Sequence, residues 1–226
     1  MKPQYDFIHA CKDGDLELAK KIMSQGKVMV DCPMYGRHAL LEACYRGRLE
    51  VVKWLVTDCK ADFKIVDWSE RTVLHLACWS GELDLVKWLV IECKMDPCLL
   101  DAMNRTPLIY ACDDGRLEVA QWLVTDCKTD ACAPDREGWT PLHWACNSRR
   151  LKVAQWLVSG CNADPNCPNI HGDTPLHLAC NNDHLEMVKW LVNECKGDIV
   201  KKNSGGNTPR DVAGLDVAKW LAENCQ

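Results

Sequence analysis

The sequence predicts an all-α solenoid of seven helix pairs joined by hairpin loops, and two repeated motifs carry this prediction. The first motif, Thr-Pro-Leu-His-x-Ala-Cys, is complete at residues 140–146 and 174–180 and looser at 72–78 and 106–112. The second, Trp-Leu-Val, returns at Trp54, Trp88, Trp122, Trp156 and Trp190. Both recur every 34 residues, and a fixed period of this length is typical of repeat architectures.

The first helix of each pair is expected to begin just after the motif threonine. In the copy at Thr174, the threonine is a good N-cap and Pro175 takes the first helical position, where its missing N–H costs nothing. The helix should end near Asn181, before an Asn-Asp turn, and other copies place a glycine such as Gly47 or Gly81 at that point.

The second helix carries apolar residues at helical spacing. In one copy these are Leu185, Val188 and Leu191, and Trp190 broadens the stripe, so neighbours should cover the helix on both sides. We therefore expect the repeated tryptophans to stack in the core. About a dozen residues rich in Asp, Asn, Pro and Gly then follow, a composition that favours a hairpin.

A 34-residue helix pair also fits a tetratricopeptide repeat, but the first motif decides between the two. Thr-Pro-Leu-His-x-Ala is the ankyrin signature, and the sequence resembles the ankyrin-repeat family over essentially its whole length. One feature departs from the family pattern. The second helix usually ends in Gly-Ala-Asp, whereas here the exit reads Asp-Cys-Lys-Ala-Asp at residues 58–62, and the added residue accounts for a period of 34 instead of 33.

We expect a single array over residues 1–226, because stacked repeats share one quasi-linear core. Its terminal units should differ from the others, since each must face water on one side. The predicted division is an N-terminal cap at 1–33, internal repeats at 34–67, 68–101, 102–135, 136–169 and 170–203, and a truncated C-terminal cap at 204–226.

Charge and hydropathy exclude several functions. The net charge of −5 is mixed along the chain and lacks the basic footprint of a nucleic-acid-binding protein. No apolar run approaches the ~18 residues that would span a membrane, and the N-terminus lacks a signal peptide. These features predict a cytoplasmic, monomeric array that binds neither nucleic acid nor membrane.

The sixteen cysteines fall into columns, which favours reduced thiols over a disulfide scaffold. Equivalent residues of stacked helices lie ~8–10 Å apart, too far for a bridge along a column. Zinc would need a second Cys pair beside candidates such as Cys93 and Cys98, and none is apparent. We predict no metal and no cofactor, and keep a thiol-rich redox- or metal-responsive protein as an alternative.

The histidines at 75, 143 and 177 each precede a column cysteine by three residues. A catalytic Cys–His pair would occur once, with a third orienting group, so periodic copies indicate scaffold and not an enzyme. The resemblance to ankyrin repeats implies that this histidine ties the entry of the first helix together by hydrogen bonds.

The resemblance also implies where a partner would bind, because ankyrin repeats use the hairpin tips and the exposed side of the first helix as a concave surface. Carried over by register, this surface contains Tyr35, Arg37, Tyr45, Arg46, Trp68, Arg71, Trp79, Met103, Arg105, Asp113, Asp114 and Trp139. Interface hot spots favour Trp, Tyr and Arg. We therefore predict an aromatic–arginine groove that binds an apolar, partly acidic segment of another protein. Two alternatives stay open: some of these tryptophans pack on adjacent hairpins, or the array is purely structural.

Overall fold

The computed structural model describes residues 2–34 and 36–225, so the predicted binding residue Tyr35 lies outside the described residues. The fold is all-α, as predicted. Within the described ranges there are thirteen helices and no strand, and two hairpins close with isolated bridges, Met34 to Arg37 and Val66 to Thr72.

Helices alternate in pairs along the chain. The first helices of the pairs are α1 (Lys2–Asp13), α3 (Ala39–Tyr45), α5 (Val73–Ser80), α7 (Pro107–Asp113), α9 (Pro141–Asn147) and α11 (Pro175–Asn181). The second helices are α2 (Leu16–Ser24), α4 (Leu49–Thr57), α6 (Leu83–Ile91), α8 (Leu117–Thr125), α10 (Leu151–Cys161), α12 (Leu185–Asn193) and α13 (Leu215–Asn224).

The predicted seventh pair therefore lacks its first helix. Residues 208–213 form turns, in which the Asp211 carboxylate accepts hydrogen bonds from the Thr208 amide (2.8 Å) and hydroxyl (2.7 Å). Gly214 already caps the next helix. The intervening stretch is too short to repay the cost of nucleating a helix.

The helices belong to two compact units. The first contains the chain up to Ala111 together with Glu118–Cys127, and the second contains Cys112–Leu117 and the chain from Lys128 onwards. In the first unit α3 packs between α1 and α5, and in the second α9 packs on α11. Leucines such as Leu74 and Leu89 in the first unit are fully buried, which contributes ~1.5–3 kcal/mol each.

The repeated tryptophans of the second helices do not form the core column that we expected. Trp190 is buried, but Trp54 and its counterparts at 88, 122, 156 and 220 are half-buried. In α4 the buried residues are Val51, Val52 and Leu55. Trp54 lies about 100° around the helix from Leu55, so it borders the core instead of facing it.

A buried histidine joins consecutive repeats, as the resemblance implied. His75 Nδ1 accepts from the Thr72 amide (3.1 Å), and its Nε2 lies 3.0 Å from the carbonyl oxygen of Arg105, thirty residues on. An amide only donates and a carbonyl only accepts, so the ring is neutral with its proton on Nε2. His143 and His177 repeat these contacts with Asp173 and Asn207.

The exit of each second helix shows how the added residue is accommodated. Lys60, Lys94, Lys128, Asn162 and Lys196 all have φ between +55° and +59°. After α4, the Ala61 amide donates to the Leu55 carbonyl (2.9 Å), enclosing one more residue than a Schellman motif does. A non-glycine residue in this left-handed conformation costs ~1–2 kcal/mol.

The first prediction concerns the histidine link. Burial lowers the pKa of His75 and of His143 below the ordinary value near 6.5, so the unfolded chain binds the proton first. Stability is then fully present above pH ~6.5 and falls below it, by up to ~1.4 kcal/mol per pH unit for each histidine. Urea unfolding between pH 7.5 and 5 should show this loss, with a smaller slope for His75→Gln. If the free energy of unfolding of the variant fell equally steeply with pH, the loss of stability could not be assigned to His75.

The second prediction concerns the strained exit. Lys94→Gly should raise the free energy of unfolding by ~0.5–1 kcal/mol, because glycine adopts positive φ without strain but loses more freedom on folding. Urea unfolding measures the change. Lys94→Ala is the matched control, since it removes the charge but keeps the Cβ atom and should give no gain.

Candidate protein-interaction surface

An aspartate or asparagine builds five of the hairpin tips, whereas the hairpin closed by Met34 and Arg37 has Pro33 at that position. Asp101 accepts from the amides of Met103 (2.8 Å) and Arg105 (2.9 Å) through one carboxylate oxygen. The same pair of bonds, to the second and fourth following amides, occurs at Asp67, Asp135, Asn169 and Asn203. This local turn sets the direction of the side chain at its fourth following residue.

Arginines occupy that position in two hairpins of the first unit. Arg71 Nε donates to Asp67 Oδ2 (2.7 Å), and Arg105 Nε donates to Asp101 Oδ2 (2.9 Å). Each guanidinium also lies near an aromatic ring: Arg71 Cζ is 5.5 Å from the Trp79 ring centre. Both arginines are thus held by an ion pair and by a cation–π contact.

Three aromatic side chains form a row across the first helices of the first unit, which we call the aromatic ladder: Tyr45, Trp79 and Tyr110. The Tyr45 and Trp79 rings are 5.5 Å apart and nearly perpendicular, and the Trp79 and Tyr110 rings are also 5.5 Å apart. An arginine lies near each ring of the aromatic ladder. Arg46 Cζ is 5.4 Å from the centre of the Tyr45 ring and Arg105 Cζ is 5.0 Å from that of Tyr110, in addition to the Arg71 contact with Trp79. Tyr45 is exposed and Trp79 half-buried.

Tyr110 was not predicted from the sequence. Its hydroxyl donates to Asp101 Oδ2 at 2.6 Å, and burial and this bond raise the tyrosine pKa. Burial alone would raise the pKa of Asp101, but the bonds from Tyr110 and from the amides of Arg105 and Met103 outweigh it and hold that pKa below its ordinary value. Asp101 therefore stays ionised beside Arg105.

Trp68 projects from its hairpin tip with 89% of its surface exposed. Its indole lies against the backbone of Gly36, where an added Cβ atom would stand 2.2 Å from the ring nitrogen. Gly36 has φ +74°, which also favours glycine.

Trp68 and Tyr45 border a pocket of about 380 Å³, which we call the cationic pocket. Its other polar lining includes Lys12, Arg37, Arg46 and Arg71. The structure thus gathers most of the predicted residues of the first unit around one pocket. Met103 does not line this pocket. It is exposed on the hairpin turn between Asp101 and Arg105.

The predicted residues of the second unit have partners inside that unit. Asp113 accepts from the Ser148 hydroxyl, and its carbonyl oxygen accepts from Arg150 Nε (2.9 Å). Asp114 pairs with Arg116 (2.5 Å) and with Arg150 (3.2 Å). These carboxylates already carry structural bonds.

Trp139, the last predicted residue, is half-buried against Trp144, with ring centres 4.9 Å apart. Trp144 is half-buried as well, and its Nε1 donates to Asp135 Oδ2 at 3.0 Å. Tyr110 and Trp144 therefore share one arrangement: each follows the hairpin aspartate by nine residues and bonds to it. That spacing was the signal that sequence analysis missed.

All sixteen thiols are unbridged; six are buried, seven are half-buried and three are exposed. Cys44, Cys112 and Cys146 are fully buried, and burial raises their pKa values. Cys32, Cys98 and Cys132 are exposed on the loops. Among the residues that the structure describes, no group of three or more His, Cys, Asp or Glu side chains is placed to hold a metal ion.

The described helices are each twelve residues long or shorter. Within residues 2–34 and 36–225, none is both long and apolar enough to cross a bilayer.

The structure has paired helices, hairpin tips built on an Asp or Asn turn, and a buried His between repeats. These features define a helical repeat scaffold of the protein-binding class. Family models described as ankyrin repeats match residues 7–101 and 74–169 in three-copy form and 157–213 in many-copy form. The chain belongs to the ankyrin-repeat family, whose members are generally protein-interaction modules and typically non-catalytic.

A solved structure supports the same fold. The crystal structure of the human ASB11 ankyrin repeat domain matches with a TM-score of 0.78 and 23% identity, covering 97% of this chain and 98% of that one. At this identity the likeness concerns the fold. No sequence among the curated proteins matches the chain.

The third prediction separates the thiol classes. Brief treatment of the native chain with a thiol reagent should modify Cys32, Cys98 and Cys132 first, because they are exposed, while buried thiols with raised pKa values react slowly. Mass spectrometry of the digested protein identifies the modified sites, and the same treatment in urea is the control. Rapid native modification of Cys44, Cys112 or Cys146 would revive the redox alternative.

Proposed function

We propose that this chain is a non-catalytic adaptor that binds an extended segment of a partner protein on the first unit. The observation that carries the proposal is Trp68, which is 89% exposed and lies at the rim of a pocket. Folding gains nothing from a bulky indole placed in water, whereas a buried tryptophan is a frequent hot spot in an interface.

The aromatic ladder supports the same proposal. Three rings and their arginines form a surface that is apolar on the ring faces and cationic at the rim. Arg71 and Arg105 are held by Asp67 and Asp101 before a partner arrives. Such preorganisation lowers the entropic cost of binding.

The second unit offers a smaller patch, in which the ring centres of Trp139 and Trp144 lie 4.9 Å apart with their planes tilted by 48°. Asp113 and Asp114 belong to the same unit, and we propose that these four residues also bind a partner protein. We further propose that the protein acts as a monomer in the reducing cytoplasm, where cysteines such as Cys44 and Cys146 stay unbridged.

The fourth prediction tests the surface. Trp68→Ala and Trp79→Ala should each weaken partner capture at least tenfold, equivalent to ~1.4 kcal/mol or more. Quantitative affinity purification from an extract, with Lys87→Ala and Lys189→Ala on α6 and α12 as controls, measures the loss. Trp68→Ala is the cleaner variant, because its exposed side chain contributes little to folding. Equal capture by the tryptophan and lysine variants would rule the surface out.

A further inference from the structure

We propose that the cationic pocket takes the carboxylate of an internal aspartate or glutamate in the bound segment, and that an apolar side chain of the same segment enters an adjoining pocket beside Tyr5. This inference rests on the proposed function, since it assumes that the first unit binds a protein segment. It adds the chemistry of that segment and brings in α1, which the predicted surface did not include.

The charges in the cationic pocket do not cancel. Its cations and carboxylates are Lys12, Arg37, Arg46, Arg71, Glu42 and Asp67. Arg71 is 2.6 Å from the Asp67 carboxylate, and Arg37 faces Glu42 at 3.6 Å. Lys12 and Arg46 have no carboxylate of the described residues within ion-pair distance. Two positive charges therefore remain without a counterion.

This local excess stands out against a chain of net charge −5. Salt screens exposed charges beyond ~8 Å at physiological ionic strength. The charges of the pocket therefore act on an incoming group more strongly than the net charge of the whole chain does. Arginine and lysine side chains bind carboxylates through charge-assisted hydrogen bonds. The pocket thus favours an anionic side chain over a neutral one.

The surroundings of the pocket favour a carboxylate inside a continuous segment. Arg37 is shared with a second pocket of about 360 Å³, and Tyr45 connects the cationic pocket to the aromatic ladder. A bound chain can therefore continue on both sides, which suits an internal residue better than a C-terminus.

The second pocket is mainly apolar. Tyr5, Ile8, His9 and Met34 line it together with Arg37. The Tyr5 and His9 rings stack at 4.1 Å, and Ile8 is buried beneath. Because the two pockets share Arg37, neighbouring residues of one segment could fill both. The expected motif is an acidic residue next to an apolar or aromatic one.

A displayed library of random twelve-residue peptides, enriched on the full chain, tests the inference without a known partner. Enriched peptides should share an acidic residue beside an apolar one. In synthetic peptides, replacing that acid by its amide should weaken binding at least tenfold in a fluorescence titration. The Lys12→Gln/Arg46→Gln variant should lose about as much, and should no longer distinguish the acid from the amide.

The matched control is Lys21→Gln/Lys87→Gln, which removes the same charge from helices α2 and α6 and should bind normally. If peptides bind through Trp68 but ignore the amide change or the Lys12→Gln/Arg46→Gln variant, the inference fails and the proposed function stands. A requirement for phosphoserine or for a free C-terminus would overturn the internal carboxylate. If no peptide is enriched, or if binding is insensitive to Trp68→Ala and Trp79→Ala, both proposals fail.

Discussion

In three repeats, the hydrogen bonds of a buried imidazole link one repeat to the next. His75 accepts from the backbone that opens its own helix and donates to the carbonyl oxygen just before the next motif threonine. Both hydrogen bonds are made to backbone atoms, so they do not depend on which side chains the hairpin carries. The hairpin side chains can therefore vary without changing the register of the repeats, which leaves them available for recognition.

The hairpin aspartate links this scaffold to the surface. One oxygen of Asp101 holds the turn through two amides, and the other accepts from Arg105 and from Tyr110. In the second unit Asp135 does the same for its turn and for Trp144. The hydrogen bonds from Tyr110 and from the amides of Arg105 and Met103 hold the pKa of Asp101 below its ordinary value, so this carboxylate stays charged. It thereby places an aromatic ring and its neighbour in a defined geometry before any partner is present.

The sequence predicted the features that depend on period and local chemistry, because these are written in adjacent residues. The threonine cap, the histidine link and the buried cysteine column, including Cys44 and Cys146, are confirmed. The prediction that the tryptophans of the second helices form a core column was wrong. The 34-residue period shows that these residues are equivalent, but not which direction they face relative to the core. Tyr110 and Trp144 were missed because they occupy positions where Leu76 and Leu178 are core residues. The binding surface stays a prediction, because the sequence of this chain does not contain the partner that would bind there.

Arginines that look equivalent in the sequence differ in what they can offer a ligand. Arg71 and Arg105 each follow a hairpin aspartate by four residues, so the carboxylate that builds the turn also neutralises the guanidinium. Arg46 follows a tyrosine on a helix and lies outside the reach of such a turn, and Lys12 comes from a different helix altogether. The first two arginines therefore act mainly as flat surfaces stacked on aromatic rings. The last two cations face no carboxylate of the described residues within ion-pair distance, and so the local positive charge comes from residues outside the repeated pattern.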